Sequence, residues 1–278
     1  ATAGKPLTPT QKLVVTDIAI YLDGLQEELR TGVKLADVQK KRMAILGAGG
    51  SGKTHVVKNI VIPMIQAVVG EASVLAVTSS NAQANNIGGI TMHAAAKLQV
   101  KESYPLNDLT MKPEQHSLVQ DIWKDVHVLI VEECSMVAAE IYGAMMYRAM
   151  LARKAHLELD PEAWTQPGME FGAMPLIIHL GDFLQLRPHQ MGMADTAERQ
   201  KVLYARKQTR PSSLAQTAHS AFQRMEDYHI LQGTKRFDDT DLPELLMAMR
   251  KGAPISKKLW KKVQAQVVNT RVKYVTLR

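Results

Sequence analysis

Three short stretches of the chain hold residues whose types and spacing suit chemistry. Gly47-Ala-Gly-Gly-Ser-Gly-Lys53-Thr54 fits the pattern G-x-x-x-x-G-K-[ST] in full, directly after an apolar run and before a helical one. Gly47, Gly49, Gly50 and Gly52, with Ser51 among them, let the backbone curl so that several N–H groups face one anion. The helix that follows adds its positive end. Lys53 then supplies a point charge to the outer phosphates of a nucleoside triphosphate, and Thr54 a hydroxyl for Mg²⁺. The second stretch, Val126–Val131, ends in Glu132-Glu133; one carboxylate can hold the Mg²⁺ shell while the other orients or deprotonates a water. Read alone, the pair equally fits two acids opening the next helix. The third, Leu176–Leu180, runs into Gly181-Asp182-Phe183-Leu184-Gln185. Asp182 and Gln185 stand there at a strand end, where a group sensing a γ-phosphate belongs, or where an Asx turn would cap the strand.

Such residues are useful only if a scaffold brings them together. Met43–Leu46, Val74–Val77, Val126–Val131 and Leu176–Leu180 are apolar, short and without strict alternation, so they predict strands buried on both faces of a parallel sheet. Helical stretches over 53–69, 114–124 and 136–155 separate them. The alternation predicts a doubly wound, mainly parallel α/β domain with ligands at the carboxyl ends of the strands. An N-terminal helix over 8–30 is capped by Thr8, has Pro9 in its first position, and places Leu13, Ile18, Ile20 and Leu25 on an apolar side. Pro161, Pro167, Gly168 and Gly172 mark 156–174 as a long connecting loop. Beyond Pro188 the pattern is mainly helical, with a strand at Tyr228–Leu231. Residues 1–250 read as the nucleotide-binding domain and 251–278 as a basic C-terminal segment.

Composition narrows the function classes. With 46% hydrophobic and 22% charged residues, the 278-residue chain is globular rather than disordered. No run of about 18 uncharged apolar residues occurs, so a membrane span is not expected. The single cysteine, Cys134, excludes an internal disulfide framework and suits a reducing, intracellular setting, the nucleus or mitochondrion if the source is eukaryotic. The net charge of +7 is uneven: residues 251–278 hold eight of the 34 basic groups and none of the 27 acidic ones, leaving the rest nearly neutral. A basic tail of this kind can meet phosphate or simply be a solvated helix face.

Taken in order, Gly47–Thr54, Thr78–His93, Val131–Met136, Phe171–Pro188 and Leu231–Arg236 resemble the PIF (petite integration frequency) helicases, RecD-like superfamily 1 DNA helicases that move 5′→3′ on single strands. The likeness runs from about residue 7 to 252 and is most specific at Phe171-Gly172 and Gly181–Pro188. It implies a RecA-like P-loop fold with ATP and Mg²⁺. Position by position, Gln11 resembles the glutamine that reads the adenine edge. Lys53 and Thr54 match the phosphate and magnesium ligands, Glu132 the first acid of the pair, and Glu133 the catalytic glutamate. Gln185 matches the glutamine that couples the γ-phosphate to strand movement, and Arg236 resembles an arginine finger. Thr78, Thr91 and His93 fall in segments that lie along DNA in the family.

Two residues depart from the pattern. Glu132 stands where the family usually has Asp, and its extra methylene extends the carboxylate by about 1.5 Å. Asn81 stands where glycine is common. The resemblance therefore implies the first, ATP-binding lobe of a DNA helicase, acting in repair, recombination or telomere maintenance. Its partners would be single-stranded DNA, duplex junctions and a second RecA-like lobe outside this chain. A catalytically weak, nucleotide-responsive DNA-binding module or a transposon-derived fragment is the alternative, and a phosphate-loop kinase is disfavoured by Gly181–Pro188.

Overall fold

The computed structural model describes residues 6–98, 111–185, 213–233 and 241–265. The chain runs α1 (Pro9–Arg30), β1 (Lys41–Gly47), α2 (Lys53–Val56), α3 (Ile62–Val69), β2 (Val74–Thr78), α4 (Asn81–Ile87), β3 (Ile90–Thr91) and α5 (Met92–Ala96). It continues as α6 (Pro113–Trp123), β4 (Val128–Val131), α7 (Ala139–Leu157), β5 (Leu176–Gly181), α8 (Ser213–Gln223), β6 (Asp227–Leu231) and α9 (Asp241–Lys251). Two compact units are distinguished: Ala1–Ala48 with Gly52–Gln232, and Gly233–Arg278 with Gly49–Ser51. The first unit holds the sheet. In the second, α9 is followed by helical residues at 257–265, and Lys262 pairs with Asp241.

Among the described residues six strands form one parallel sheet, in the order β3-β2-β4-β5-β1-β6. Their period-two geometry divides the core. Val128 and Ile130 of β4 join Met43, Ile45, Leu176 and Ile178 against α1, α2 and α3, whereas Leu129, Val131 and Ile177 face α5, α6, α7 and α8. Both faces are thus covered by helices, which is why the strands read as unbroken apolar runs.

The N-terminal helix forms over the expected range, capped by Thr8, but its buried side is Gln11, Val14, Ile18, Leu22 and Leu25. Leu13 and Ile20 are 60% and 67% exposed. Spacings of three and four residues keep one face together, while steps of two turn a side chain to the far side, so the expected face held two outsiders. The helix over 53–69 is continuous but widens to a π turn at Val57–Val61. Pro63, just beyond, has no N–H to return to the preceding turn, so the ladder must widen there. The expected loop at 156–174 is more structured than its prolines and glycines suggest. It contains a 3-10 turn at Pro161–Thr165 and buries Glu170, Phe171, Ala173 and Met174. Helix α7 is buried around most of its girth, and its two buried arginines donate to backbone: Arg148 to the carbonyls of Ala96 and Lys97, and Arg153 to those of Gly172, Trp123 and Val126.

Candidate nucleotide site

In the sheet order β4, β5 and β1 are neighbours, so parallel pairing puts their three carboxyl ends on one edge. β1 leads into the glycine loop, β4 into Glu132-Glu133 and β5 into the Asp182–Gln185 turn.

Gly50 and Gly52 have φ of +84° and +87°, backbone that L side chains rarely adopt. Gly52 is also crowded: a Cβ there would lie 2.6 Å from Gln11 Nε2. Gln11, 3% exposed, therefore lies against the last glycine of the loop. A capping box holds it there, because Thr8 Oγ1 accepts from the Gln11 N–H at 3.2 Å and Gln11 Oε1 accepts from the Thr8 N–H at 3.0 Å. The Lys53 side chain is buried and its Nζ donates to the carbonyls of Gly47 at 2.8 Å and Ala48 at 3.3 Å, so its charge is held at the carboxyl end of β1.

Thr54 Oγ1 donates to Glu132 Oε1 at 2.6 Å, which brings the loop and the acidic strand end into direct contact. The longer side chain of Glu132 thus still reaches the threonine. Glu132 Oε2 and Glu133 Oε2 are both shielded from solvent and have no hydrogen-bond partner among the described residues. Burial pushes both carboxyls above the ordinary range. For Glu132 the Thr54 hydrogen bond counteracts, the neighbouring Glu133 charge adds, and Lys53 counteracts; for Glu133 Lys53 counteracts and Asp182 adds. Glu133 has φ of +52°, a strained value for a side-chain-bearing residue at the mouth of a site. The helix that the two acids were free to open does not follow directly, since α7 starts at Ala139 after a 3-10 turn at Cys134–Met136.

A divalent cation fits this corner. Mg²⁺ takes one or two protein oxygens and completes its shell with water and phosphate, and a threonine hydroxyl beside an unsatisfied buried carboxylate is such a donor set. Among the described residues no group of three His, Cys, Asp or Glu side chains could hold a metal ion. The protein offers two oxygens of a sixfold shell, Thr54 Oγ1 and a Glu132 carboxylate oxygen.

At the third strand end the turn and the polar group coexist. Asp182 is 1% exposed; its Oδ1 accepts from the Leu184 N–H at 3.1 Å and its Oδ2 from Gln185 Nε2 at 2.9 Å. The turn reading of Asp182 is met, yet the same side chain sets the Gln185 amide. Gly181 is needed for close approach, because a Cβ there would lie 2.6 Å from Cys134 Sγ. Ser135, which the sequence reading passed over, has a buried hydroxyl without a hydrogen-bond partner among the described residues, two positions after Glu133. Its position beside an acidic strand end was the only available signal.

The expected DNA residues separate. Thr78 is fully buried at the end of β2, and its hydroxyl donates to the Ser80 carbonyl at 2.7 Å, so it shapes a turn and offers no side-chain contact to a ligand. Thr91 pairs with Thr78 in register and caps α5, accepting from the Ala94 N–H at 3.1 Å; half-buried His93 follows in the first turn of that helix. Arg236 lies outside the described residues, as does the end of the Gly181–Pro188 motif.

A parallel sheet with a glycine loop after β1 and buried acids after β4 defines an α/β fold of the RecA-like P-loop class. Within that class the chain belongs to the PIF1-like helicase family, whose profile matches residues 26–252. It is 29% identical over 164 residues to the ATP-dependent DNA helicase PIF1 of Saccharomyces cerevisiae (strain YJM789), an alignment covering 59% of this chain and 17% of the relative. Against the Homo sapiens protein of the same name it is 29% identical over 168 residues, covering 60% and 23%. Its fold is similar to that of Pif1 helicase from Candida albicans, with a TM-score of 0.59 at 19% identity over 93% of this chain and 47% of that one. It is similar also to Bacteroides Pif1 in complex with ADP-AlF3 and ssDNA, with a TM-score of 0.58 at 16% identity over 92% and 48%. The chain thus spans about half the length of these solved helicases and a smaller part of the curated relatives.

Proposed function

We propose that this chain is the ATP-gripping lobe of a DNA helicase that couples ATP hydrolysis to 5′→3′ movement along a single strand and to opening of duplex junctions. The observation that supports this reading best is the 2.6 Å contact between Thr54 and Glu132, beside two buried carboxylate oxygens that have no hydrogen-bond partner among the described residues. The complex of Bacteroides Pif1 with ADP-AlF3 and ssDNA supports nucleotide and strand as its ligands.

The reaction is ATP + H₂O → ADP + phosphate. Lys53 offsets negative charge on the outer phosphates, and the N–H groups of the glycine loop orient them. Thr54 and Glu132 would hold Mg²⁺, which would supply Lewis-acid polarisation of the phosphoryl group. Glu133 accepts a proton from the attacking water; a carboxyl held above its ordinary range by burial is the better base for this. Gln185 reports on the γ-phosphate, Gln11 meets the adenine edge, and Arg236 offsets charge on the transferring group, as their resemblance implies. Thr91 and His93 lie along the strand, and with only 5% aromatic residues backbone contacts dominate over base stacking, so binding weakens with salt. Movement requires closure against a second lobe supplied outside this chain.

Phosphate release with and without single-stranded DNA tests this reading. DNA-stimulated release that Glu133→Gln suppresses supports a motor lobe. Nucleotide-dependent DNA binding without release supports a regulated binding module instead, and indifference to both ligands contradicts both.

A further inference from the structure

Gln185 sits on an exposed turn, yet its side-chain amide is not free to choose its direction. The amide nitrogen donates to Asp182 Oδ2 at 2.9 Å, while the same carboxylate takes the Leu184 N–H through Oδ1 at 3.1 Å. The Asp182 carbonyl also accepts from the Gln185 backbone N–H at 3.0 Å. A carboxylate oxygen only accepts hydrogen bonds, so the NH₂ end of the amide must face it. Three hydrogen bonds within four residues then fix both the turn and the orientation of the amide. Asp182 can hold this geometry because it is 1% exposed, on a strand end whose other residues are packed.

The geometry points to Asp182 as a positioning residue that acts through Gln185: it sets which face of the amide a bound triphosphate meets, and so how well the site tells a triphosphate from a diphosphate. This rests on the nucleotide reading above and adds to it a residue that acts on the γ-phosphate through the Gln185 amide. Asp182 touches neither substrate nor metal in this scheme. Replacing it by Asn keeps an acceptor for Leu184 but places an NH₂ group opposite the amide nitrogen. Gln185 must then turn over or leave.

The test is calorimetric binding of MgADP and of the magnesium complex of adenylyl-imidodiphosphate to the wild type, Asp182→Asn, Gln185→Ala and the double variant. The wild type is expected to bind the triphosphate analogue more tightly. Asp182→Asn should shrink that preference about five- to tenfold, roughly the worth of one hydrogen bond, with MgADP affinity unchanged within about twofold. The double variant should match Gln185→Ala, since a residue acting through another has nothing left to move. Gln185→Glu, which sets two carboxylates face to face, should lose the preference likewise and serves if the Asn variant unfolds. A wild-type preference retained in Asp182→Asn, losses that add in the double variant, or no wild-type preference at all overturns the inference. Failure of the wild type to bind even MgADP contradicts the nucleotide reading itself.

Discussion

Glu132 and Glu170 are almost equally buried, 5% and 3% exposed, and they are pushed in opposite directions. Glu170 lies towards the amino ends of the strands. Burial works against its charge, but Arg42, a backbone N–H and Arg224 outweigh it and hold the carboxyl below the ordinary range. Its contacts are 3.1 Å to Arg42 and 2.7 Å to Arg224. At the carboxyl ends, the Glu132 carboxylate has Thr54 as its one hydrogen-bond partner among the described residues and a second carboxylate beside it, and burial pushes its carboxyl up. One end of the sheet pairs Glu170 with two arginines, whereas at the other one oxygen each of Glu132 and Glu133 has no hydrogen-bond partner among the described residues. Pairing fixes a structure; open carboxylate acceptors are what an incoming cation needs.

The largest effect expected from breaking this contrast is on stability at the paired end. Arg42→Met leaves Glu170 buried with Arg224 as its one remaining cation and should cost about 3 kcal/mol, measured by urea unfolding. At the other end Glu133→Gln should lower DNA-stimulated phosphate release about 100-fold or more, yet raise the melting temperature, because a buried unpaired charge is removed. Gly52→Ala comes next: the backbone φ of +87° and the nearby Gln11 amide should together cost about 1–2 kcal/mol and weaken nucleotide binding.

The smallest effects are those of pH. For Glu132 and Glu133 the folded pKa lies above the unfolded one, so the folded state takes up protons first. Their contribution to stability is therefore fullest below the ordinary carboxyl value of 4.5 and declines as pH rises through the folded pKa. His179 runs the other way. Burial lowers it from 6.5 to about 4, so stability falls as pH drops from 6.5 towards 4, and urea unfolding of His179→Phe should lose that acid sensitivity.

Much of this was legible in the sequence because local chemistry and global fold agree there. A glycine loop needs its own residue types whatever surrounds it, and strands buried on both faces declare themselves as apolar runs. The register of Gly47–Thr54, Glu132-Glu133 and Asp182–Gln185 on one sheet edge follows from parallel pairing alone. What the sequence hid was long-range. Glu170 sits in a stretch rich in glycine and proline, and nothing local shows that Arg42, 128 residues earlier, will bury it. Leu13 and Ile20 look as apolar as Ile18, and only the position of the sheet decides which face is covered. Thr78 lies in a segment that resembles a DNA-contacting one, but its side chain is buried at the end of β2, beside β3, which is two residues long and has no pattern of its own.

Calorimetric titration of MgATP into the wild type and Glu132→Gln tests most directly whether the unpaired acidic end is a nucleotide–cation site. Tight, magnesium-dependent binding that falls at least about tenfold in Glu132→Gln, with the variant folded and no less stable, is the predicted result. Equal binding by both proteins with and without magnesium would contradict it.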